Sequence, residues 1–312
     1  VALVGALVLL LLGLAFPRTL QIAGQDEIVH YVGLGERLYA HGFSRPGELI
    51  TFSPHLYGFA LWLAHAQCGP GLWVARLPGL AAWSLTAVAV GLWLYRRAPA
   101  PSAVASMAWA LALLATAPMA LQAAAIVDID NTLLVPAVLA LCVSAVRFTD
   151  RPGLARGAAV AACLLVALWC RITTPVLVVP ILAAYAWRRG GSTAVVAGMA
   201  LALALGGVLF LITWWAYGRR TGIDVSGPFH YLLDALVFGT VGADRGVRPG
   251  KIALTLTYLV LWLGPAFAAL MTGLGVPRLW RLCRGGPPEP EDLFLVTGLA
   301  ILAVYCLFGG TI

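Results

Sequence analysis

Charged residues are scarce in this sequence. Only 11% of its 312 residues are Asp, Glu, Lys or Arg, against roughly 25% in an ordinary soluble domain. Apolar residues make up 61%, and the mean hydropathy is +0.92. A single water-soluble domain of this size could not bury so much apolar surface, so the composition indicates a protein whose solvent is a lipid bilayer.

The sequence gives little support for a metal site or for binding to nucleic acid. The six cysteines form no CxxC pattern and no Cys/His cluster, which is typical of small apolar side chains buried in the fold rather than of a metal site. A formal charge of +7 would suit nucleic acid, but the basic residues fall in short clusters between apolar runs and not along one stripe. We therefore expect no nucleic-acid partner.

Both ends of the sequence are apolar. Residues 1–16 carry no basic n-region, and no small-x-small cleavage site follows, so we interpret them as part of a transmembrane helix rather than a signal peptide. Residues 293–312 stop within another apolar run. We expect residues 1–312 to form one transmembrane domain that is truncated at both ends.

Long charge-free runs divide the chain, and the 20 basic and 13 acidic residues all lie outside them. Insertion requires this segregation, because one charge at a helix centre costs about 2.5 to 3.5 kcal/mol. The runs predict an all-α, polytopic integral membrane protein. They cover residues 1–16, 77–95, 98–127, 131–146, 157–170, 172–187, 190–218, 252–277 and 293–312.

Basic residues in short loops predict the orientation. The polar segments 96–97, 147–156, 188–189 and 278–284 follow alternate runs and hold ten of the twenty Lys and Arg. The other ten fall on the opposite side, eight of them in two long segments, and short loops govern orientation. We therefore expect the first set in the cytoplasm of a multi-pass plasma or inner membrane protein, with outer loops over about 17–71 and 219–251.

One apolar stretch is too long for a single crossing. A helix over residues 157–188 would be about 46 Å long and would place Arg156 and Arg188 on opposite sides. A break at residues 171–175, with the sequence RITTP, gives instead a hairpin with both basic ends inside. Its arms, about 21 to 24 Å long, are shorter than the hydrocarbon core, so Arg171 should lie below the outer surface. An Arg in the membrane needs a cavity, a partner or an anionic ligand.

The first outer loop contains two predicted helices. Residues 26–41 have apolar residues at helical spacing and are typical of an amphipathic helix lying on the membrane. Residues 55–67 are apolar but too short to span, so we expect an interfacial or re-entrant helix, with Trp62 and Trp73 at headgroup level. In the second loop we expect one short helix, around residues 229–238.

The order of short motifs along the chain resembles one family of membrane enzymes. The motifs are Asp26-Glu27, GERLYAHG at 35–42, SPHLY at 53–57, ARLPGL at 75–80, ATAP at 115–118, DIDN at 128–131, CRITTP at 170–175 and Trp214-Trp215. In this order they resemble the GT-C class of membrane glycosyltransferases, especially the group of protein O-mannosyltransferases and lipid A aminoarabinose transferases. The resemblance implies a GT-C helix bundle with amphipathic helices in the first outer loop.

The resemblance also implies a reaction, namely inverting transfer of a sugar from a polyprenyl-phosphate donor to a glycan, lipid or protein acceptor on the outer face. Such a transfer needs a base for the acceptor proton and a cation for the departing phosphate. The resemblance makes Asp26 the candidate base, with Glu27 as its orienting partner and Asp130 as a further catalytic carboxylate. The candidates for the donor phosphate are Arg171, Arg76 and Arg219.

Further contacts to the acceptor or sugar are expected from Asp128, His55, Tyr57 and His230. No cofactor follows from the sequence, and the candidate ligands for any divalent cation are Asp26, Glu27, Asp128 and Asp130.

Simpler interpretations stand beside these. Asp26 and Asp130 also suit helix N-caps. Arg171 also suits a snorkelling side chain or a partner of an outer-loop acid, and an Arg at headgroup level is often a lipid anchor. For the whole chain, the alternatives are a transporter or flippase for a lipid-linked or small solute, or a non-catalytic subunit of a glycan assembly machine. The two long outer loops and the lack of an internal repeat favour the enzyme.

Overall fold

The computed structural model describes residues 56–97, 99, 102–116, 132–222, 224–227, 229–230, 233, 252–253, 256–257 and 265–308. None of these residues lies in a strand, so the predicted all-α class is confirmed for this part of the chain. Its helices are α1 (Leu56–Cys68), α2 (Leu72–Arg97), α3 (Ala103–Thr116), α4 (Leu134–Asp150), α5 (Leu154–Cys170), α6 (Thr173–Gly190), α7 (Thr193–Thr221), α8 (Pro265–Cys283) and α9 (Pro290–Phe308).

Two of the described helices are long and apolar enough to cross a bilayer. They are α2, with 26 residues, and the 28 residues Thr193–Arg220 of α7. At 1.5 Å per residue these lengths correspond to about 39 and 42 Å, more than the ~30 Å of a hydrocarbon core. The surface of α7 is also apolar, and Leu201 is 72% exposed.

The helices extend through charged residues that were predicted to bound them. Arg76 lies in the second turn of α2, Arg147 in the last turn of α4, and Arg219 in the last turn of α7. α7 thus runs to Thr221, two residues past the predicted start of the second loop at 219. A charged side chain is costly inside the hydrocarbon core, but it does not interrupt the backbone hydrogen bonds of a helix. A helix can therefore continue past the last residue that the core tolerates.

The chain forms two compact units, and α1, α2 and α3 belong to the first. The predicted short helix over 55–67 is present as α1, which packs against α2, and α2 in turn packs against α3. Tyr57 is fully buried, and its hydroxyl donates a hydrogen bond to the Ala75 carbonyl at 2.8 Å. This bond joins the first turn of α1 to the first turn of α2.

In the second unit, the predicted break at residues 171–175 is confirmed. α5 ends at Cys170, Arg171 has an extended backbone (φ −165°, ψ 136°), and α6 begins at Thr173. Pro175 falls in the first turn of α6, where its missing N–H leaves no intrahelical bond unmade. The break is therefore a true interruption of the helix.

The two arms of this hairpin run antiparallel. Asp150, just before α5, forms an ion pair of 2.9 Å with Arg189 in the last turn of α6. α7 then runs parallel to α5, because Gly206 lies against the Ala161 carbonyl while Trp169, further along α5, donates a hydrogen bond to Thr213. A Cβ atom on Gly206 would lie 2.7 Å from that carbonyl oxygen, so glycine permits the close approach of the helices.

The directions of α4 to α9 alternate. One end of this unit holds the last turns of α4, α6 and α8 and the first turns of α5, α7 and α9. We call it the charged end. Its charged residues are Asp150, Arg188, Arg189, Arg278, Arg281, Glu289 and Asp292. The opposite end of α5, α6 and α7 we call the break end; it contains Trp169, Arg171, Thr173, Trp214, Tyr217 and Arg219. Three of the four segments predicted to share one side, 147–156, 188–189 and 278–284, meet at the charged end.

The cysteine prediction is correct in part. Cys142 and Cys170 are buried, but Cys68 and Cys283 are exposed. Each of the two exposed residues is the last residue of its helix, where packing against neighbouring helices ends. Cys68, Cys142, Cys163, Cys170 and Cys283 are free thiols.

Candidate functional site at the break end

Arg171 occupies the interruption between α5 and α6. Its backbone N–H donates to the Ala167 carbonyl at 3.0 Å and completes the last turn of α5. Its half-buried side chain donates from Nε to Thr173 Oγ1, also at 3.0 Å. This second bond fixes one edge of the guanidinium group against the first turn of α6, and it places a permanent positive charge at the tip of the hairpin.

Aromatic rings surround the end of α5. The centroid of Trp169 lies 5.5 Å from Trp214, 5.6 Å from Tyr217 and 6.2 Å from Phe210, each in an edge-on geometry. Trp214 stacks on Phe210 and on Tyr217. Such pairs contribute about 0.5 to 1.5 kcal/mol each beyond burial of their area. The rings hold the ends of α5 and α7 together and so position Arg171, two residues after Trp169.

Polar contacts continue beyond α7. Trp214 Nε1 donates to the Val225 carbonyl at 3.0 Å, which holds the segment after the helix against the aromatic rings. Asp224 accepts hydrogen bonds from Ser226 Oγ at 2.7 Å and Ser226 N at 2.9 Å. Those bonds, the hydroxyl first, lower the pKa of Asp224. The segment then begins a helical turn, in which the exposed His230 donates its N–H to the Ser226 carbonyl at 3.0 Å.

Arg219 is exposed in the last turn of α7. Its Cζ atom lies 4.9 Å from the centroid of the Trp215 ring, which is a cation–π contact. Two of the predicted phosphate-binding arginines, Arg171 and Arg219, therefore belong to the same end of the second unit. His230 belongs to the segment that leaves that end.

The other two described candidates lie in the first unit. Tyr57 is engaged with the Ala75 carbonyl, and this contact accounts for a tyrosine there without any substrate. Arg76 is 2% exposed, so it does not occupy the accessible position typical of a lipid anchor. The remaining predicted site residues fall outside the described ranges, and their roles stay predictions; they are Asp26, Glu27, His55, Asp128 and Asp130.

Metal binding gains no support from the described ranges. Within them, no group of three or more His, Cys, Asp or Glu side chains is arranged to hold a metal ion.

Sequence reasoning missed an ionic network at the charged end. Arg278 donates to Glu289 and to Asp292, at 3.1 Å in each case. Arg281 donates to the same two carboxylates. Asp292 also accepts the backbone N–H of Glu289 at 2.7 Å, and its side chain is only 1% exposed. Burial alone would lower the pKa of Arg278, but the hydrogen bond to Asp292 and the charges of Asp292, Glu289 and Glu291 outweigh it and raise that pKa.

Backbone carbonyls extend the network to α6. Arg188 donates to the carbonyls of Leu282 at 3.0 Å and Gly286 at 2.9 Å. Arg189 donates to the Pro288 carbonyl at 3.0 Å as well as to Asp150. The signal in the sequence was the placement of two arginines and two acids on either side of the short segment 284–288, which allows the chain to fold back on itself.

No protein-family model, curated protein or solved structure matches this chain. What the described structure defines is an all-helical protein with two helices that are long and apolar enough to cross a bilayer.

Proposed function

We propose that this chain is a polytopic membrane glycosyltransferase of GT-C type. It would transfer a sugar, with inversion, from a polyprenyl-phosphate donor to a glycan, lipid or protein acceptor on the outer face of the plasma or inner membrane. The observation that carries the proposal is Arg171, held by Thr173 at an interruption between two antiparallel apolar helices.

Membrane insertion is supported by the alternating directions of α4 to α9 and by the apolar surface of α7. The arms α5 and α6 have 17 and 18 residues, which correspond to about 26 and 27 Å. An arm of that length, starting from a charged end in the cytoplasmic headgroups, brings Arg171 close to the outer boundary of a ~30 Å hydrocarbon core. The phosphate of an isoprenoid lipid lies at that depth, because its chain is dissolved in the core.

The chemistry of Arg171 suits a departing phosphate. A guanidinium group offers donors in a planar fork that matches phosphate oxygens, and it stays charged when partly buried. The N-terminus of α6 adds partial positive charge at the same place. In this scheme the attacking oxygen of the acceptor loses its proton to Asp26 and forms a bond to the anomeric carbon. The bond from that carbon to the phosphate oxygen breaks, and Arg171 stabilises the phosphate that leaves with the electron pair.

The other predicted residues take supporting parts in this proposal. Glu27 orients Asp26, and Asp130 shapes the acceptor side. A single displacement at the anomeric carbon inverts its configuration, so one base and one cation suffice for the reaction.

Membranes containing the full chain and a labelled polyprenyl-phosphate sugar test this proposal. We expect Asp26→Asn to lose transfer, because the amide cannot accept the acceptor proton, and we expect retention of donor binding. Near-normal transfer by Asp26→Asn would remove Asp26 as the base. Movement of the labelled lipid across the membrane with no covalent product would favour the transporter class instead.

A further inference from the structure

The charged end holds more positive charge than its carboxylates neutralise. Over residues 147–156, 187–189 and 278–292 there are eight arginines and four acids, a formal net charge of +4. The ion pairs there use Arg189, Arg278 and Arg281. The other five arginines form no ion pair with a carboxylate of the described ranges; they are Arg147, Arg151, Arg156, Arg188 and Arg284.

Exposed apolar side chains accompany these five arginines. Leu154 is 93% exposed between Arg151 and Arg156 in sequence. Trp187 and Trp280 are 64% and 60% exposed. The guanidinium of Arg284 lies over the Trp280 ring, with Cζ 4.6 Å from the centroid. We call the five arginines with Leu154, Trp187 and Trp280 the basic rim.

Arginine beside exposed tryptophan and leucine is the chemistry of a membrane–water boundary. Tryptophan rings prefer the headgroup level, an exposed leucine gains by entering the acyl region, and the arginine fork binds phosphate. We propose that the basic rim binds anionic phospholipid headgroups of the leaflet at the charged end. This inference rests on the membrane insertion proposed above, but not on glycosyl transfer.

An acidic protein partner would match the charge but not the apolar side chains. Leu154, Trp187 and Trp280 would gain nothing from a polyanionic chain in water, whereas a bilayer satisfies both kinds of group at once. The ionic network joins the ends of α6, α8 and α9, and so holds Trp187 and Trp280 at the same end of the unit.

The test is lipid selectivity, measured on the full chain reconstituted in phosphatidylcholine with spin-labelled phosphatidylglycerol or spin-labelled phosphatidylcholine. We expect the wild type to select the anionic label, and added salt to weaken that selection. The double variant Arg147→Gln/Arg151→Gln should lower the relative association constant by about fivefold for each arginine removed. Neither side chain forms an ion pair with a described residue, so we expect an unchanged unfolding midpoint.

Two matched variants complete the design. Arg147→Lys/Arg151→Lys keeps the charge and should keep most of the selectivity. Arg220→Gln/Arg245→Gln removes the same charge from α7 and the following segment, and should leave the selectivity of the charged end in place. Equal retention of the two lipids by the wild type, or an equal loss in the rim and control variants, would overturn the inference.

One further outcome would also overturn it: no selection of phosphatidylglycerol together with binding of a polyglutamate peptide would indicate an acidic protein partner. No sugar donor is present in these measurements, so their failure leaves the transfer assay to judge the proposed function separately.

Discussion

The two ends of the second unit place arginine in different structural settings. At the charged end, Arg278 and Arg281 share two carboxylates, and one of these, Asp292, is almost fully buried. At the break end, the hydrogen bond found for Arg171 is to a neutral hydroxyl, at a point where the helix is interrupted. An arginine satisfied by carboxylates holds helices together. Arg171 lies instead at an interruption between two apolar helices, beside the N-terminus of α6, and this position is the basis for proposing a phosphate there.

The largest effect should come from Arg171→Gln. We expect transfer to fall by at least about 100-fold, because one preorganised donor to a developing negative charge typically contributes that much. Unfolding should change little, since glutamine can still donate to Thr173. Initial transfer rates and the unfolding midpoint, measured on the same preparation, check both expectations.

Two variants sharpen this comparison. Thr173→Val leaves the charge but removes its anchor, and should cost about tenfold or less in transfer. Arg97→Gln, at the exposed end of α2, should leave transfer unchanged. Equal losses in Arg171→Gln and Arg97→Gln would mean that total charge matters rather than the break end.

At the charged end, Asp292→Asn should destabilise the fold by roughly 2 to 3 kcal/mol. The value lies below that for a fully buried pair, because Arg278 and Arg281 are about one-third exposed. Its matched control is Asp150→Asn, which breaks the more exposed pair with Arg189 and should cost less than about 1 kcal/mol. Equilibrium unfolding in detergent measures both, and similar values would show that burial of Asp292 adds nothing.

Gly206 and Gly207, neighbours in α7, should differ in the effect that substitution by alanine has on stability. Gly206→Ala forces a Cβ atom against the Ala161 carbonyl and should cost about 1 to 2 kcal/mol through overpacking. Gly207→Ala meets open space and should gain up to about 1 kcal/mol from helix propensity. The difference between the two unfolding free energies isolates the α5–α7 contact. Equal effects would contradict the close contact between α5 and α7 at Gly206.

The smallest expected effect is a shift in the pKa of Asp224. Ser226 lowers the pKa of this carboxyl through its hydroxyl and backbone hydrogen bonds. The associated stability is therefore present above the ordinary carboxyl pKa and is lost as pH falls through the lower folded pKa. Ser226→Ala should raise the pKa of Asp224 toward its ordinary value, as followed by NMR of the labelled carboxyl carbon. An unchanged titration would remove Ser226 as the cause.

The positions of the charged residues in the sequence predicted many of the helices. Charge-free runs predicted the helices, and the RITTP sequence predicted the break at Arg171, because a charge and a proline interrupt an apolar run together. Helix limits were less accurate. Arg76, Arg147 and Arg219 lie inside helices, since a long side chain can carry its charge away from the place where its backbone lies.

Contacts between residues far apart in the sequence could not be predicted from it. Periodicity cannot show that Asp292 meets Arg278 and Arg281, because that contact depends on how segment 284–288 folds back. The ring cluster of Trp169 and Trp214 depends likewise on the parallel packing of α5 and α7. At the candidate site, the sequence predicted the position of Arg171. It did not predict the hydrogen bond to Thr173 or the aromatic rings nearby, because these depend on how α5, α6 and α7 pack.

The most direct measurement of the central claim is an electron cryo-microscopy structure of the full chain with a bound isoprenoid phosphate. We expect phosphate density within hydrogen-bonding distance of the Arg171 guanidinium, with the sugar position facing Asp26. An isoprenoid whose phosphate lies at the charged end, or makes no contact with Arg171, would contradict it.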